Sequence, residues 1–250
     1  SIGSFNGAML VAHQEKELLE FWETVDPIHF LELDEIFKEK EISLKKIDVI
    51  VKTIKSKIKN HGFNLSPLKI KLGEIFNEEK FRQSTIDYGV VTVKSDGVVP
   101  VEITKKEIPR GKTIEYILAS CYLPIFKKEK LIDDDYYLDG GFHDSVPIEI
   151  LVNNGCNKVY AVYLNGPGPQ KKIKNPAVEI IKIKPKKHLG SQLTLDTDKI
   201  RENIKLGYYD TLKIIKNLDG IDYYFKSNKL RFYDKLLRKV DKKTLNKAYL

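Results

Sequence analysis

LDGGFHDSVP, Leu138 to Pro147, sets an aspartate ahead of two glycines and closes on a proline. An aspartate at a strand end followed by Gly140 and Gly141 puts a carboxylate on a tight turn whose backbone can approach a neighbouring element. Taken alone, such a turn is more often an ordinary one with a solvated Asp139. Its surroundings decide the fold. Upstream, VVTVK and VVPVEI flank Ser95-Asp96-Gly97, a hairpin signal because Asp-Gly readily takes positive φ. The pattern then predicts a helix over Thr113 to Ser120, ended before Pro124. Short strands follow around Leu131-Ile132 and Tyr136 to Leu138, on either side of the acidic turn Asp133-Asp134-Asp135. Downstream come a helix from Ile148 capped by Gly155 and the strand KVYAVYL, Lys158 to Leu164. Strands interleaved with helices argue for α/β layers rather than a bundle.

Further out, GPGPQKKIKNP (Gly166 to Pro176) reads as a polar loop and EIIKIKP (Glu179 to Pro185) as a strand. A long helix then carries Ile200, Ile204, Tyr208, Thr211, Leu212 and Ile215 along one side. Between Gln14 and Ser84 the chain is rich in Glu, Lys, Leu and Ile. Ile47, Ile50, Val51, Ile54 and Ile58 recur there at helical spacing, giving one apolar and one basic face. Such a stripe is most often core packing; a lid or a membrane-surface element are the functional alternatives. His61-Gly62 ends it.

The chain opens SIGSFNGAMLVAH, small and apolar, a helix that begins almost at its first residue. Gly3 and Gly7, a helical turn apart, cost helix stability and so usually mark close backbone packing. The arrangement also suits a nucleophile elbow. There a serine stands at a sharp turn into a helix, small neighbours let the turn form, and the helix dipole favours developing negative charge.

Composition bounds the possibilities. The 250 residues fit one large α/β domain, and 42% hydrophobic residues suffice for a substantial core. Two cysteines, Cys121 and Cys156, are too few for a disulfide framework or a zinc knuckle, and read as buried thiols in a reducing compartment. The net charge of +8 suits an anionic partner, but the lysines are spread with glutamates among them, as on a solvated surface. Nucleic-acid binding would rest on charge alone, with no motif behind it. The five histidines fit no metal-ligand spacing. No apolar run spans a bilayer and the first residues do not read as a secretory signal, so a cytoplasmic protein is expected, with room for peripheral contact with an anionic membrane.

Six fragments in register carry a family resemblance. SIGSFNGAM resembles the second half of the G-x-S-x-G elbow of patatin-like phospholipases and the helix after it. ASCYLPIF, Ala119 to Phe126, resembles that family's segment ahead of its acidic motif. YLDGGFHDSVPI resembles its D-G-G block, and KVYAVYL the strand that follows. NLSPLK and IRENIKLGYYDTL resemble stretches of bacterial members. The resemblance implies a three-layer α/β/α fold with a largely parallel central sheet. Residues 1–218 would form the acyl hydrolase domain and 219–250 a basic tail packed on it.

By the same resemblance the protein is a serine lipid acyl hydrolase acting on lipid esters, without cofactor or metal. Ser1 is its nucleophile and Asp139 its base, with no catalytic histidine; Gly3, Gly140 and Gly141 support the site. An ordinary aspartate is a feeble base towards a hydroxyl, so the role demands burial away from cations. His143 is the rival for a conventional triad and is read as a partly exposed structural residue.

The family pattern also carries a glycine two residues before the nucleophile, and an upstream strand and glycine-rich oxyanion loop. These have no counterpart here, and GPGPQKK cannot replace them, since two of its positions are prolines without N–H. Losing one oxyanion donor costs about a hundredfold or more in rate. The expectation is therefore a further N-terminal segment in the natural protein, the stretch from Ser1 alone being nearly inactive. Ser145 stands where many relatives have asparagine. Two alternatives compete: a catalytically silent patatin-like module that binds lipid or protein, and an N-terminal nucleophile hydrolase using the Ser1 amine as base. The second leaves the D-G-G and ASCYLPIF blocks unexplained.

Overall fold

A computed structural model describes residues 1–25, 62–164, 166, 168–173, 175–190, 196–218 and 226. The stripe from Ile47 to Ile58 lies outside the described residues, and so, apart from residue 226, does the tail 219–250.

The fold is α/β. Helix α1 (Gly3–Val11) buries Phe5, Ala8 and Met9, at i, i+3 and i+4. It ends where His13 takes a left-handed conformation (φ 55°) and the Gln14 N–H turns back to the Met9 carbonyl at 2.9 Å. Helix α2 (Glu15–Thr24) folds back on it, with Phe21 edge-on to Phe5 and the Trp22 indole N–H donating to Asn6 Oδ1 at 2.9 Å. After residue 61 come α3 (Ser66–Ile75), with Pro67 in its first turn, and α4 (Glu78–Gln83), capped by Asn77. Buried Gln14 joins the two helix pairs. Its amide donates to the Ile75 carbonyl at 2.8 Å and accepts the Asn77 N–H at 2.7 Å.

Strands β1 (Gly89–Lys94), β2 (Val99–Thr104) and β3 (Tyr137–Asp139) form an antiparallel sheet in the order β2-β1-β3. Central β1 buries Val90, Val91, Thr92 and Val93 in succession, as a strand covered on both faces does. Helix α5 (Thr113–Ser120), with the predicted bounds, packs on β1 and β3. Helix α6 (Glu149–Asn153) leads to β4 (Lys158–Val162), which pairs in parallel with β5 (Glu179–Ile183); α7 (Thr197–Ile215) follows. The parallel pairing expected of the central sheet is thus present in β4 and β5, while the three strands around the D-G-G block are antiparallel.

Four details differ from the sequence reading. The hairpin loop has four residues, since Lys94 pairs with Val99, and Gly97 (φ 70°) and Val98 (φ 52°), not Asp96, take the positive angles. Leu131-Ile132 forms no strand, only an isolated bridge from Ile132 to Asp135, with Asp133 and Asp134 left-handed. Along α7 Tyr208 and Ile215 are each 62% exposed, and Asp210 is buried. Polar tethers orient that helix: Asn203 donates to the Leu189 carbonyl at 2.8 Å, and Asp210 accepts the Lys186 N–H at 3.1 Å. Cys156, expected to be buried, is exposed.

Candidate active site

Ser1 stands one residue before the capping position of α1, exposed, and its carbonyl accepts the Ser4 N–H at 2.7 Å. The nucleophile candidate is therefore at the positive end of a helix dipole. A side chain at Gly3 would meet nothing within 4 Å, so among the described residues packing does not demand that glycine. At Gly7 the Tyr88 ring would be in ordinary contact, at 3.5 Å.

Asp139 ends β3 and is 5% exposed. Its N–H donates to the Tyr122 carbonyl at 2.8 Å, and its Oδ1 accepts the Gly141 N–H at 2.7 Å. Among the described residues no other hydrogen bond reaches the carboxylate. Backbone excludes a side chain at Gly140, and at Gly141 a side chain would press on the carboxylate itself. A Cβ at Gly140 would lie 2.1 Å from the Val91 carbonyl oxygen, and one at Gly141 would lie 3.0 Å from Asp139 Oδ1.

The C-terminal end of α5 links these pieces. Ser120 Oγ accepts a hydrogen bond from the Ser1 nitrogen at 3.1 Å. Cys121 Sγ lies 3.9 Å from Ser4 Oγ, and Tyr122 holds the Asp139 N–H. Burial pushes the Cys121 thiol up to about 11. The Asp139 carboxylate adds to this, and a hydrogen bond from Ser4 opposes it. Buried Tyr88 donates to the Ser4 carbonyl at 3.0 Å, and its hydroxyl is raised far above the ordinary tyrosine range by burial, with Cys121 adding to the effect. Cys121 stood out in the sequence only as a thiol, and Ser120, Tyr122 and Tyr88 carry no functional signal of their own there. Ser120 and Tyr122 were legible only as part of ASCYLPIF.

That family pattern now has an independent test. The family model for patatin-like phospholipases matches residues 1–152. The chain belongs to the patatin-like phospholipase family. The match runs from the Ser1 helix through the D-G-G block, so the lipid acyl hydrolase class of this family applies to the stretch that holds both candidate residues. A comparison with curated proteins found no match.

The remaining candidates of this patatin-like chain fall elsewhere. His143 Nε2 faces Lys171 and lies 3.4 Å from Glu102 Oε1, and Lys171 also pairs with Glu102 at 3.3 Å and Glu149 at 3.8 Å. The imidazole is held in an ion cluster between β2, α6 and the 168–173 loop. Ser145 donates to the Pro169 carbonyl through its N–H at 2.8 Å and its hydroxyl at 3.0 Å, so GPGPQKK packs beside the D-G-G turn. Among the described residues no three His, Cys, Asp or Glu side chains gather as metal ligands, and no helix is long and apolar enough to cross a membrane.

Proposed function

We propose that this protein hydrolyses carboxylic esters of lipids, phospholipids or acylglycerols, through an acyl-enzyme formed on Ser1 with Asp139 as the base. Asp139 takes the Ser1 hydroxyl proton as Oγ attacks the ester carbonyl, and returns it to the departing alcohol. Water then attacks the acyl-serine with Asp139 again as base, releasing the fatty acid and restoring Ser1. What supports this reading is that one turn, Ser120 to Tyr122, touches both partners, while the carboxylate is buried on a turn whose Gly140 has no room for a side chain. The held position of His143 in an ion cluster favours a dyad over a triad. The net charge of +8 suits transient contact with an anionic lipid surface.

The test is a fluorophosphonate probe on the natural full-length protein, with peptide mapping and a lipid esterase assay. The adduct is expected on Ser1, absent in Ser1→Ala. Asp139→Asn keeps an acceptor for the Gly141 N–H but removes the base, and should lower turnover by about a thousandfold. Labelling elsewhere, or activity that survives Ser1→Ala, sinks the dyad. A folded protein that neither labels nor hydrolyses lipid esters is a silent binding module.

A further inference from the structure

We infer that Ser120 is a positioning residue for the nucleophile, its buried hydroxyl fixing the backbone of Ser1 relative to Asp139; this rests on the dyad proposed above. Thr113, Tyr116, Ile117, Leu118, Ala119 and Ser120 are all buried, which makes α5 one of the most enclosed elements among those described. Helix α5 ends in a tight turn, with Cys121 N–H on the Leu118 carbonyl at 3.0 Å and Tyr122 N–H on the Ala119 carbonyl at 3.3 Å. A buried, hydrogen-bonded helix end is a stiff reference point.

From that point two bonds lead to the two reacting residues. The Tyr122 carbonyl fixes the Asp139 backbone, and Ser120 Oγ fixes the Ser1 nitrogen. Ser1 needs such a hold because it is exposed and precedes the helical ladder; its own carbonyl is tied to Ser4, which leaves its nitrogen to be anchored. Ser120 is 1% exposed, and among the described residues the Ser1 nitrogen is its hydroxyl's hydrogen-bond partner. A peptide N–H at this nitrogen makes the same bond where its hydrogen faces Ser120 Oγ, so the experiment is done on the natural full-length protein. With the backbone held, only rotation about the Ser1 Cα–Cβ bond remains for Oγ to search. Misplacing a reacting atom by about 1 Å can cost about a hundredfold in rate, so an anchor at this point acts on turnover rather than on substrate binding.

The experiment compares the parent, Ser120→Ala, Ser120→Thr and Ser1→Ala in the natural full-length protein. It reads kcat and KM on a lipid ester, the fluorophosphonate labelling rate per folded molecule, and the melting temperature. Ser120→Ala should lower kcat and the labelling rate at least about tenfold with KM within about twofold, and Ser120→Thr, which keeps the hydroxyl, should recover most of the loss. If Ser120→Ala matches the parent per folded molecule, or melts earlier with unchanged specific activity, Ser120 is structural only and the inference is wrong. If the alanine variant does not fold, Ser120→Thr decides: a folded protein with kcat reduced as far as in the labelling-dead state overturns the inference, and near-parental kcat upholds it. Activity retained by Ser1→Ala would instead remove the dyad, and this inference with it.

Discussion

Gly140 lies flat against Val91: a Cβ on the glycine would stand 2.1 Å from the valine's carbonyl oxygen and 2.8 Å from its carbonyl carbon. The obstacle is backbone in the central strand of a sheet, which cannot swing aside as a side chain can. Gly140→Ala is therefore expected to destabilise the fold by about 3 kcal/mol or more, read by urea unfolding.

Gly141→Ala should behave differently. Its Cβ would meet Asp139 Oδ1 at 3.0 Å, a carboxylate that can rotate by a few tenths of an ångström. The expected outcome is lipid esterase activity lower by about tenfold with little change in melting temperature. A large loss of stability at Gly141, or none at Gly140, would contradict this account of the turn.

Gly168 has φ 120°, and a Cβ there would lie 2.4 Å from the Gly141 carbonyl oxygen. Gly168→Ala should push the loop off the D-G-G turn and break the two bonds from Ser145 to Pro169. Amide hydrogen exchange at Ser145 should then accelerate, with a stability loss of about 1–3 kcal/mol.

Arg82 is a structural keystone. Its five N–H groups are within hydrogen-bond distance of the carbonyls of Lys105, Ile108 and Pro109, of Thr113 Oγ1 and of the Glu78 carboxylate, Nη2 sharing its two hydrogens among three acceptors. Arg82→Ala would take their donor from the three carbonyls and, among the described residues, the only cation from Glu78, which would keep the Gly111 N–H and the Thr113 hydroxyl, at a cost of about 3 kcal/mol. Arg82→Lys should recover only part, because an ammonium cannot reproduce the fork. Equal stability of the two variants by denaturant titration would contradict this.

The two thiols should react at different rates. Cys156 is exposed, whereas burial raises Cys121 to about 11 and keeps it protonated at neutral pH. At pH 8 iodoacetamide should modify Cys156 about a hundredfold faster or more, and the Cys121 rate should still be climbing between pH 9 and 11. A Cys121 rate that levels off below pH 9 would mean that its surroundings are not the enclosed ones described.

Much of the fold was set locally. Thr113 to Ser120 has its predicted helical bounds because apolar spacing and the nearby Pro124 act within a few residues. β4 and β5 likewise follow from runs of β-branched and apolar residues, and Asp139 stands at a strand end as its Asp-Gly-Gly setting requires. The family pattern was equally legible, since it consists of short fragments in a fixed order.

Tertiary structure decided what depends on residues far apart in the chain. Ser120 meets the nitrogen of Ser1 across 119 positions, and no periodicity encodes that bond. The Val91 carbonyl makes glycine obligatory at Gly140; the sequence alone showed only a turn former. His143 lies among Glu102, Lys171 and Glu149 because three separate segments converge there. On α7 Ile200, Ile204 and Leu212 stay partly buried while Tyr208 and Ile215 are exposed and Asp210 is buried, an orientation in which Asn203 and Asp210 bond to the segment before the helix. Propensity and spacing are local and can be read along the chain. Hydrogen bonds and steric exclusion between distant segments exist only once the chain has folded.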